Sequence, residues 1–250
     1  MTSVKGRTAL ITGGSKGLGK AMAMALGAAG AQIAIVARKE AELKAAAQEL
    51  REAGIDAEWF AADVTDETRV AELESAVRAR FGRVQILINN AGMNNRKLLP
   101  DYSLAEWREV IDTNLTSAFL MCRAFVPHMK GAGYGRIINM TSIMGHVSLP
   151  MRSAYSASKA GLMGLTKALA LEVAADGITV VGISPGFHAT EMNLPLVQDP
   201  EFNRQLKEKV AVGRWGRIED IGRLALFVCS EGASYITGTD IVVDGGYTAL

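Results

Sequence analysis

Short apolar runs alternate with longer segments of helical periodicity along this chain, and this alternation constrains its fold more than any other feature. The apolar runs lie at residues 8–12, 32–37, 58–62, 84–89, 135–140, 179–184 and 241–243. The helical segments lie at residues 17–29, 40–53, 67–80, 104–129 and 155–175, with a less regular region at 202–228. Such an order is typical of repeated βαβ units. It predicts an α/β fold, a Rossmann-type doubly wound sheet of seven mostly parallel strands with helices on both faces.

The chain carries no sign of a division into domains. It has 250 residues and shows no internal repeat, low-complexity tract or proline-rich linker. A single dinucleotide-binding catalytic domain over residues 1–250 is therefore expected, because this length suits one hydrophobic core. In such a sheet, ligands bind beyond the carboxyl ends of the strands.

Charge and composition indicate a small-molecule partner. The 27 basic and 26 acidic residues give a formal net charge of +1, so no long-range field favours nucleic acid or an anionic membrane. No apolar stretch reaches the roughly 18 residues of a membrane span. Cys122 and Cys229 both lie in apolar helical segments, which is typical of a reducing compartment. A cytoplasmic protein is expected.

A glycine-rich turn, TGGSKGLG at residues 12–19, follows the first predicted strand. Its glycines allow a sharp bend and close approach to a pyrophosphate, and the helix that follows presents free amides to the anion. Three glycines can equally serve a tight bend with close helix packing and no ligand. The next strand, about 20 residues on, favours the dinucleotide-binding interpretation.

The residues after the second strand bear on the choice of cofactor. A carboxylate at this place accepts hydrogen bonds from a free ribose 2′-hydroxyl and repels a 2′-phosphate. This chain has Ala37, Arg38 and Lys39 instead, with Lys16 as a further cation. NADP(H) is therefore favoured over NAD(H), although Arg38 and Lys39 can also be read as a solvated helix start.

Tyr155, Lys159 and Ser142 form a candidate proton-transfer trio. Tyr155 and Lys159 are four apart and share a helix face. An ammonium about 4 Å from the phenol, at an effective dielectric constant of about 20, would lower the tyrosine pKa by roughly three units. A tyrosine four residues before a lysine usually marks only an amphipathic surface. Ser142, however, follows the strand at 135–140 and lies at the same sheet edge as the glycine turn, where its hydroxyl can donate to a substrate carbonyl.

The glycine turn and the trio belong to an ordered series of motifs along the chain. The series consists of the turn at 12–19, Asp63 with Val64, Asn89-Asn90-Ala91-Gly92, Asn114, the trio Ser142, Tyr155 and Lys159, and Pro185-Gly186 with Thr190. On these residues the chain resembles the short-chain dehydrogenase/reductase family, and the resemblance covers essentially all 250 residues.

The resemblance implies a role for each matching residue. Tyr155 would be the acid/base, Ser142 would orient the substrate oxygen, and Lys159 would hold the nicotinamide ribose and lower the tyrosine pKa. Asn114 would support a proton relay through water. The implied cofactor-binding residues are Gly13, Ser15, Lys16, Gly17, Leu18, Gly19, Arg38, Asp63, Val64, Asn90, Ala91, Gly92, Tyr155, Lys159, Pro185, Gly186, His188 and Thr190.

Two positions depart from the family pattern. Val181 stands where the family often has asparagine, and His188 stands where it has an aliphatic residue. The cofactor contact at His188 is expected through its backbone, with the imidazole free to face the substrate. The three histidines, His128, His146 and His188, are too scattered to form a recognisable metal site, so no metal is expected.

Substrate choice is the least constrained inference. The pocket should be lined by residues 93–97, 143–152 and 187–205. Residues 185–192 and 214–216 resemble gluconate 5-dehydrogenases and related sugar-acid or polyol enzymes. Arg96, Lys97 or Arg152 could hold a substrate carboxylate, and a surface role for these cations is about as well supported.

Two alternatives remain open. A 3-oxoacyl-acyl-carrier-protein reductase would share the scaffold and the NADPH preference but would need a basic docking surface, and residues 128–133 offer only Lys130. A cofactor sensor without turnover could dispense with the proton-transfer trio, which this chain retains.

The family resemblance also implies a homo-oligomer. A homotetramer, or a dimer, would assemble through residues 104–129 and 155–175. The apolar tail at residues 236–250 can be a further interface or an edge strand of the same chain.

Overall fold

A computed structural model describes residues 3–249 of the chain. It contains a single seven-stranded sheet in which all neighbouring strands run parallel, in the order β3-β2-β1-β4-β5-β6-β7. The strands are β1 (Thr8–Thr12), β2 (Gln32–Ala37), β3 (Ala57–Ala61), β4 (Ile86–Asn89), β5 (Gly135–Met140), β6 (Ile178–Pro185) and β7 (Thr239–Val243). The predicted fold class is confirmed.

The helices alternate with the strands. They are α1 (Gly17–Ala28), α2 (Glu40–Glu52), α3 (Glu67–Phe81), α4 (Leu104–Ile111), α5 (Ser117–Met129), α6 (Ser153–Val173), α7 (Leu194–Gln198), α8 (Pro200–Lys209) and α9 (Ile218–Cys229). Short 3-10 turns lie at Leu99–Asp101, Ile143–Gly145, Ala174–Asp176, Glu191–Asn193, Glu231–Ala233 and Tyr247–Ala249. In the described part of the chain, no helix is both long and apolar enough to cross a membrane.

Two hydrophobic clusters, one on each face of the sheet, hold the layers together. Along β1, Ala9 and Ile11 pack into the cluster with α1, α2 and α9, whereas Leu10 packs into the cluster with α3, α5 and α6. This division follows from the strand period of two, which sends successive side chains to opposite faces. Because both faces are covered, the central strands are buried along their whole length.

Several predicted boundaries were wrong. The helix expected at 104–129 has these bounds, but a π-helical turn that was not expected, Asp112–Thr116, lies within it between α4 and α5. The irregular region at 202–228 resolves into α8 and α9. The last strand begins two residues earlier than expected, at Thr239, because its pairing with β6 extends beyond its apolar run.

Candidate active site

The strand order reverses beside β1, and a crevice opens there between the carboxyl ends of β1 and β4. Thr12 joins the two ends. Its hydroxyl oxygen accepts hydrogen bonds from the backbone amides of Asn90 at 2.9 Å and Ala91 at 3.0 Å. The crevice is the position at which doubly wound sheets bind ligands.

A cleft of about 620 Å³ occupies this crevice. It brings together nearly all of the residues that the sequence predicted as cofactor-binding or catalytic. These are Gly13, Ser15, Lys16, Gly17, Leu18, Arg38, Asp63, Val64, Asn90, Ala91, Gly92, Ser142, Tyr155, Lys159, Pro185, Gly186, His188 and Thr190. Gly19 and Asn114 do not line the cleft.

The glycine turn has the shape of a phosphate cradle. Gly17, the first residue of α1, has φ +53°, and no side chain caps the helix, so its first amides are left for a ligand. A Cβ at Gly13 would lie 2.8 Å from Asn90 Nδ2. At Gly19 a Cβ would lie 2.3 Å from the Gly13 carbonyl oxygen, so close packing of the turn requires a glycine there. The open turn therefore fits a dinucleotide pyrophosphate.

Cations surround the far end of the cleft, beyond β2. Arg38 lies 3.9 Å from Asp63, while Lys39 and Lys16 lie 2.9 and 3.5 Å from opposite oxygens of Glu42. The hydrogen bond from Lys39 lowers the pKa of Glu42. Burial raises the pKa of Asp63, but hydrogen bonds from Thr65 and the charge of Arg38 outweigh this and leave it below its ordinary value. All three cations are exposed enough to reach an anion in this part of the cleft.

Ser142, Tyr155 and Lys159 converge at the other end of the cleft. Ser142 follows β5 and is 6% exposed, and its hydroxyl oxygen accepts a hydrogen bond from the Met144 amide at 3.1 Å. Tyr155 lies in the first turn of α6. Lys159, one turn later, donates from Nζ to the Met140 carbonyl at 2.6 Å and lies 5.6 Å from the centre of the tyrosine ring.

The pKa shift predicted for Tyr155 was wrong in direction. Burial raises the pKa of the phenol, and the hydrogen bond with Ser142 and the charge of Arg152 offset this only in part. Burial also lowers the pKa of Lys159 to about 8. The ammonium of Lys159 donates to the Met140 carbonyl. The four-residue spacing therefore led us to expect a larger effect of the lysine charge on the pKa of Tyr155 than the structure shows.

Asn114 lies behind the wall of the cleft, in the π-helical turn, and is 1% exposed. Its side-chain oxygen accepts from the Met93 amide at 2.8 Å, and its side-chain nitrogen donates to the Met93 carbonyl and to Ser158 Oγ. The side chain is therefore fully occupied in holding the loop after β4. A proton relay at Asn114 would have to use its main-chain carbonyl.

The loop after β6 borders the cleft and reaches the glycine turn, where a Cβ at Gly17 would lie 3.2 Å from a carboxylate oxygen of Glu191. Gly186 donates its amide to the Val243 carbonyl at 2.9 Å, which anchors the loop to β7. His188 is 3% exposed and its ring packs over Gly216, where a Cβ would lie 2.5 Å from the imidazole. Its Nδ1–H donates to the Gly186 carbonyl at 3.3 Å, and burial lowers its pKa. The imidazole is thus held within its own loop.

Arg152 acts electrostatically on Tyr155, and Arg96 acts on Arg152, although neither arginine lines the cleft described above. Arg152 is half-buried, and burial together with the charge of Arg96 lowers its pKa, while Tyr155 and Tyr102 act in the opposite direction. Neither arginine forms an ion pair with a carboxylate among residues 3–249. Lys97, by contrast, is paired with Glu106, whose pKa is about 2 because of that contact and the cap at Ser103.

Sequence reasoning missed other residues that line the cleft. They are Val36, Glu42, Ala62, Thr65, Thr113, Met140 and Thr141. Most are sequence neighbours of predicted residues. Glu42 had a signal of its own, its place one helical turn after Lys39, whereas Thr113 depends on the π-helical turn and had none.

Comparisons with known proteins agree with this geometry. The enoyl-(acyl carrier protein) reductase family model matches residues 13–248. The chain is 34% identical over 246 residues to gluconate 5-dehydrogenase of Gluconobacter oxydans, covering 98% of this chain and 96% of that protein. It is 36% identical to a 3-oxoacyl-[acyl-carrier-protein] reductase of Pseudomonas aeruginosa, covering 98% of each. A crystal structure of a gluconate 5-dehydrogenase from Burkholderia cenocepacia, in complex with NADP and tartrate, superposes with a TM-score of 0.95 at 33% identity, covering 100% of this chain and 98% of that one.

Proposed function

This chain belongs to the short-chain dehydrogenase/reductase family and is an oxidoreductase that acts on CH–OH groups, and we propose that it interconverts a keto sugar acid and its secondary alcohol with NADP(H). The observation that carries the substrate class is Arg152, a half-buried arginine whose charge acts on the phenol of Tyr155, together with the exposed Arg96, whose charge acts on Arg152.

The choice of NADP(H) is supported by the charges beyond β2. No acidic residue stands at the end of that strand, and Arg38, Lys39 and Lys16 face the place where a ribose 2′-phosphate would be held. Two structural relatives, from Burkholderia cenocepacia and Beutenbergia cavernae, have crystal structures with bound NADP. Glu42 and Asp63 partly neutralise these cations, so the preference over NAD(H) should be finite.

The chemistry is divided among three side chains. NADP(H) supplies or accepts the hydride when it is bound. Tyr155 gives a proton to the substrate oxygen in reduction and removes it in oxidation. Ser142 donates a hydrogen bond to the same oxygen, and Lys159 would hold the nicotinamide ribose beside them.

Burial in the cleft keeps the phenol of Tyr155 protonated at neutral pH. The state of the side chain is therefore suited to proton donation, the step that carbonyl reduction needs. In the direction of alcohol oxidation, the same residue must first lose its proton. Reduction is accordingly the direction that this charge state favours at neutral pH.

The substrate carboxylate is assigned to Arg96 and Arg152. Arg152 is half-buried without a carboxylate partner, which is costly, and an anionic ligand removes that cost by supplying the missing charge and hydrogen-bond acceptors. Arg96 is exposed and adds a second positive charge. Lys97 is excluded from this role by its pairing with Glu106. The tartrate of the Burkholderia cenocepacia structure is likewise a hydroxy acid anion.

The carrier-protein alternative is less well supported by the surface. Lys130, the one lysine in residues 128–133, lies 3.6 Å from Asp176, which reduces its attraction for an acidic partner. The sequence similarity to 3-oxoacyl-[acyl-carrier-protein] reductases is nevertheless as high as to gluconate 5-dehydrogenases. Direct assay is required to separate the two.

The test follows NADPH and NADH oxidation with 5-keto-D-gluconate, D-fructose and an acetoacetyl thioester. The keto acid with NADPH should give the highest kcat/KM. Arg152→Met and Arg96→Met should each raise KM for the keto acid about tenfold, the scale of a lost charged hydrogen bond, and leave KM for neutral fructose unchanged. Lys97→Met is the matched control and should change neither. Turnover of the thioester alone would reverse the assignment in favour of the carrier-protein reductase.

A further inference from the structure

A partly buried polar cluster lies between the edge strand β7 and the segment that contains Ser142. Asp240 lies on β7, and its side chain is 7% exposed. Its two carboxylate oxygens contact Thr141 Oγ1 and His146 Nε2, the latter at 2.7 Å. Ser184, at the end of β6, completes the cluster with contacts of 2.9 Å to Thr141 and 3.2 Å to His146. These four residues are called the Asp240 cluster below.

The Asp240 cluster exists because β6 has no side chain at Gly182. Gly182 pairs with Asn139 of β5 on one side and with Asp240 on the other. A Cβ at Gly182 would lie 2.1 Å from Asp240 Oδ1 and 3.3 Å from the methyl group of Thr141. The glycine therefore opens a niche through which the carboxylate of β7 reaches across β6 to the end of β5.

The hydrogen bonds of the cluster can be assigned from its acceptors. An ionised carboxylate only accepts, so the Thr141 hydroxyl and the His146 Nε2–H both donate to Asp240. The Thr141 proton is then committed, and the Ser184 hydroxyl must donate to Thr141 Oγ1. In this arrangement the hydroxyl groups of Thr141 and Ser184 and the Nε2–H of His146 each have an acceptor. It requires the Nε2–H tautomer of His146.

The two donors lie at opposite ends of one short segment, residues 141–146, which contains Ser142. Thr141 immediately precedes the serine, and His146 ends the 3-10 turn that follows it. Beyond His146 the chain is exposed, with Val147 41% and Met151 45% accessible. Ile143 and Met144 are buried between the two ends, but apolar contacts are not directional. The carboxylate adds a side-chain hydrogen bond at each end of the segment, whereas the main-chain hydrogen bond to a neighbouring strand, from the Thr141 amide to the Ile183 carbonyl at 2.9 Å, holds only the Thr141 end.

We propose that Asp240 is a positioning residue that acts through Ser142, by holding residues 141–146 in the orientation that aims the serine hydroxyl at the substrate oxygen. This inference rests on the role proposed above for Ser142. Displacement of a catalytic group by about 1 Å can cost on the order of 100-fold in rate. The cofactor loop is anchored separately, through the Gly186 amide and the Val243 carbonyl, so cofactor affinity should not depend on the carboxylate.

The first experiment measures kcat with NADPH and 5-keto-D-gluconate, and the Kd of NADPH by fluorescence. Asp240→Ala should lower kcat about tenfold or more, and change the Kd less than threefold. Asp240→Asn keeps one acceptor oxygen, so it should recover part of the loss. The decisive variant is Asp240→Ala combined with Ser142→Ala, which should be no slower than Ser142→Ala alone.

Gly182→Ala tests the route through β6. In the parent protein, the Cβ of the new alanine should displace the Asp240 carboxylate. The kcat should then fall as it does in Asp240→Ala. In the Asp240→Ala background the niche is empty, so the same substitution should have little further effect. Equal fractional losses in both backgrounds would contradict the coupling between the two residues.

Amide hydrogen exchange supplies a readout that needs no substrate. Asp240→Asn should accelerate exchange at Gly145 and His146, whose amides close the turn after Ser142, and leave the amides of β1 unchanged. Unaltered exchange at residues 145–146 would overturn the positioning role. An Asp240→Ala substitution that lowers kcat by the same factor in the parent and in the Ser142→Ala variant would also overturn it. If Ser142→Ala itself retained full turnover, the proposed role of Ser142 would fail instead.

Discussion

Burial shifts the pKa values of Tyr155 and Lys159 in opposite directions, and both shifts favour the neutral side chain. The phenol pKa is raised, and the lysine pKa is lowered to about 8. The sequence revealed the identity and helical spacing of this pair but not the depth at which it lies, because burial depends on the packing of β5 and of the loop after β4. The presence of the pair in the cleft could thus be predicted, and its electrostatics could not.

Replacement of Tyr155 by phenylalanine removes the proton donor and little else. Turnover should fall by about 100-fold or more, the scale of general acid/base catalysis, because the ring still fills its place against Lys159. The affinity for NADPH, measured by fluorescence titration, should be nearly unchanged. A Tyr155→Phe variant with full activity would refute the catalytic role of the phenol.

Lys159→Met should stabilise the cofactor-free protein at pH 7. Below about pH 8 both the folded and the unfolded chain carry the lysine charge, and burying it costs about 3 kcal/mol for a shift from 10.5 to about 8. Between pH 8 and 10.5 the folded chain loses the proton first, so the cost fades, and above pH 10.5 it is absent. The advantage of the variant should therefore shrink as pH rises.

Urea unfolding of the two proteins at pH 7 and pH 10.5 checks this expectation. Lys167→Met, an exposed position on the same helix, is the control and should show no such trend. A variant that is less stable than the parent at pH 7 would mean that the hydrogen bond to the Met140 carbonyl outweighs the burial of charge.

Arg38→Ala should weaken NADPH binding by about tenfold, as expected for the loss of one charged hydrogen bond, and leave NADH binding unchanged. The effect should decrease at high salt because the side chain is exposed. Arg69→Ala, an exposed and ion-paired arginine on α3, is the matched control. An equal loss for both cofactors would argue that Arg38 contacts the shared part of the dinucleotide.

At the scale of elements, the buried strands were the most predictable feature. Their apolar runs placed all seven strands within about two residues, because complete burial on both faces leaves little freedom of composition. The π-helical turn was not predictable. It depends on a tertiary contact between Asn114 and the backbone of Met93, which local periodicity does not record. The Asp240 cluster was missed for the same reason. Its residues come from three different parts of the sheet, and none of them belongs to a sequence motif that would have linked them.

Thr12→Val tests the junction of β1 and β4. The valine would leave the amides of Asn90 and Ala91 without an acceptor, at a cost of about 2–4 kcal/mol in unfolding free energy. Thr12→Ser keeps the oxygen and should cost about 1 kcal/mol, for one buried methyl group. Urea unfolding measures both. Equal losses in the two variants would show that the methyl group, rather than the hydroxyl, holds the junction.

At the scale of the whole molecule, exposed apolar side chains favour the expected homotetramer. Leu104, Phe119 and Leu171 are 62%, 46% and 84% accessible on α4, α5 and α6. We expect sedimentation equilibrium to give four times the chain mass. Leu171→Glu should reduce that mass by placing a charge in the helical interface, whereas Arg78→Glu on α3 should not. A parent protein that sediments as a monomer would contradict the expectation.

The division of the cleft along the sheet has a consequence for how such a protein changes over generations. The ends of β1 to β3 provide the glycine turn and the cations of Arg38 and Lys39 that line the cleft. The loops after β4 and β5 carry Arg96 and Arg152, to which the substrate carboxylate is assigned in our proposal. A duplicated copy of the chain can accumulate substitutions in the second group and take up a different alcohol, while the first group preserves its redox partner. Enzymes with different substrates can then arise through changes in the loops after β4 and β5, while the cofactor-binding ends of β1 to β3 stay the same.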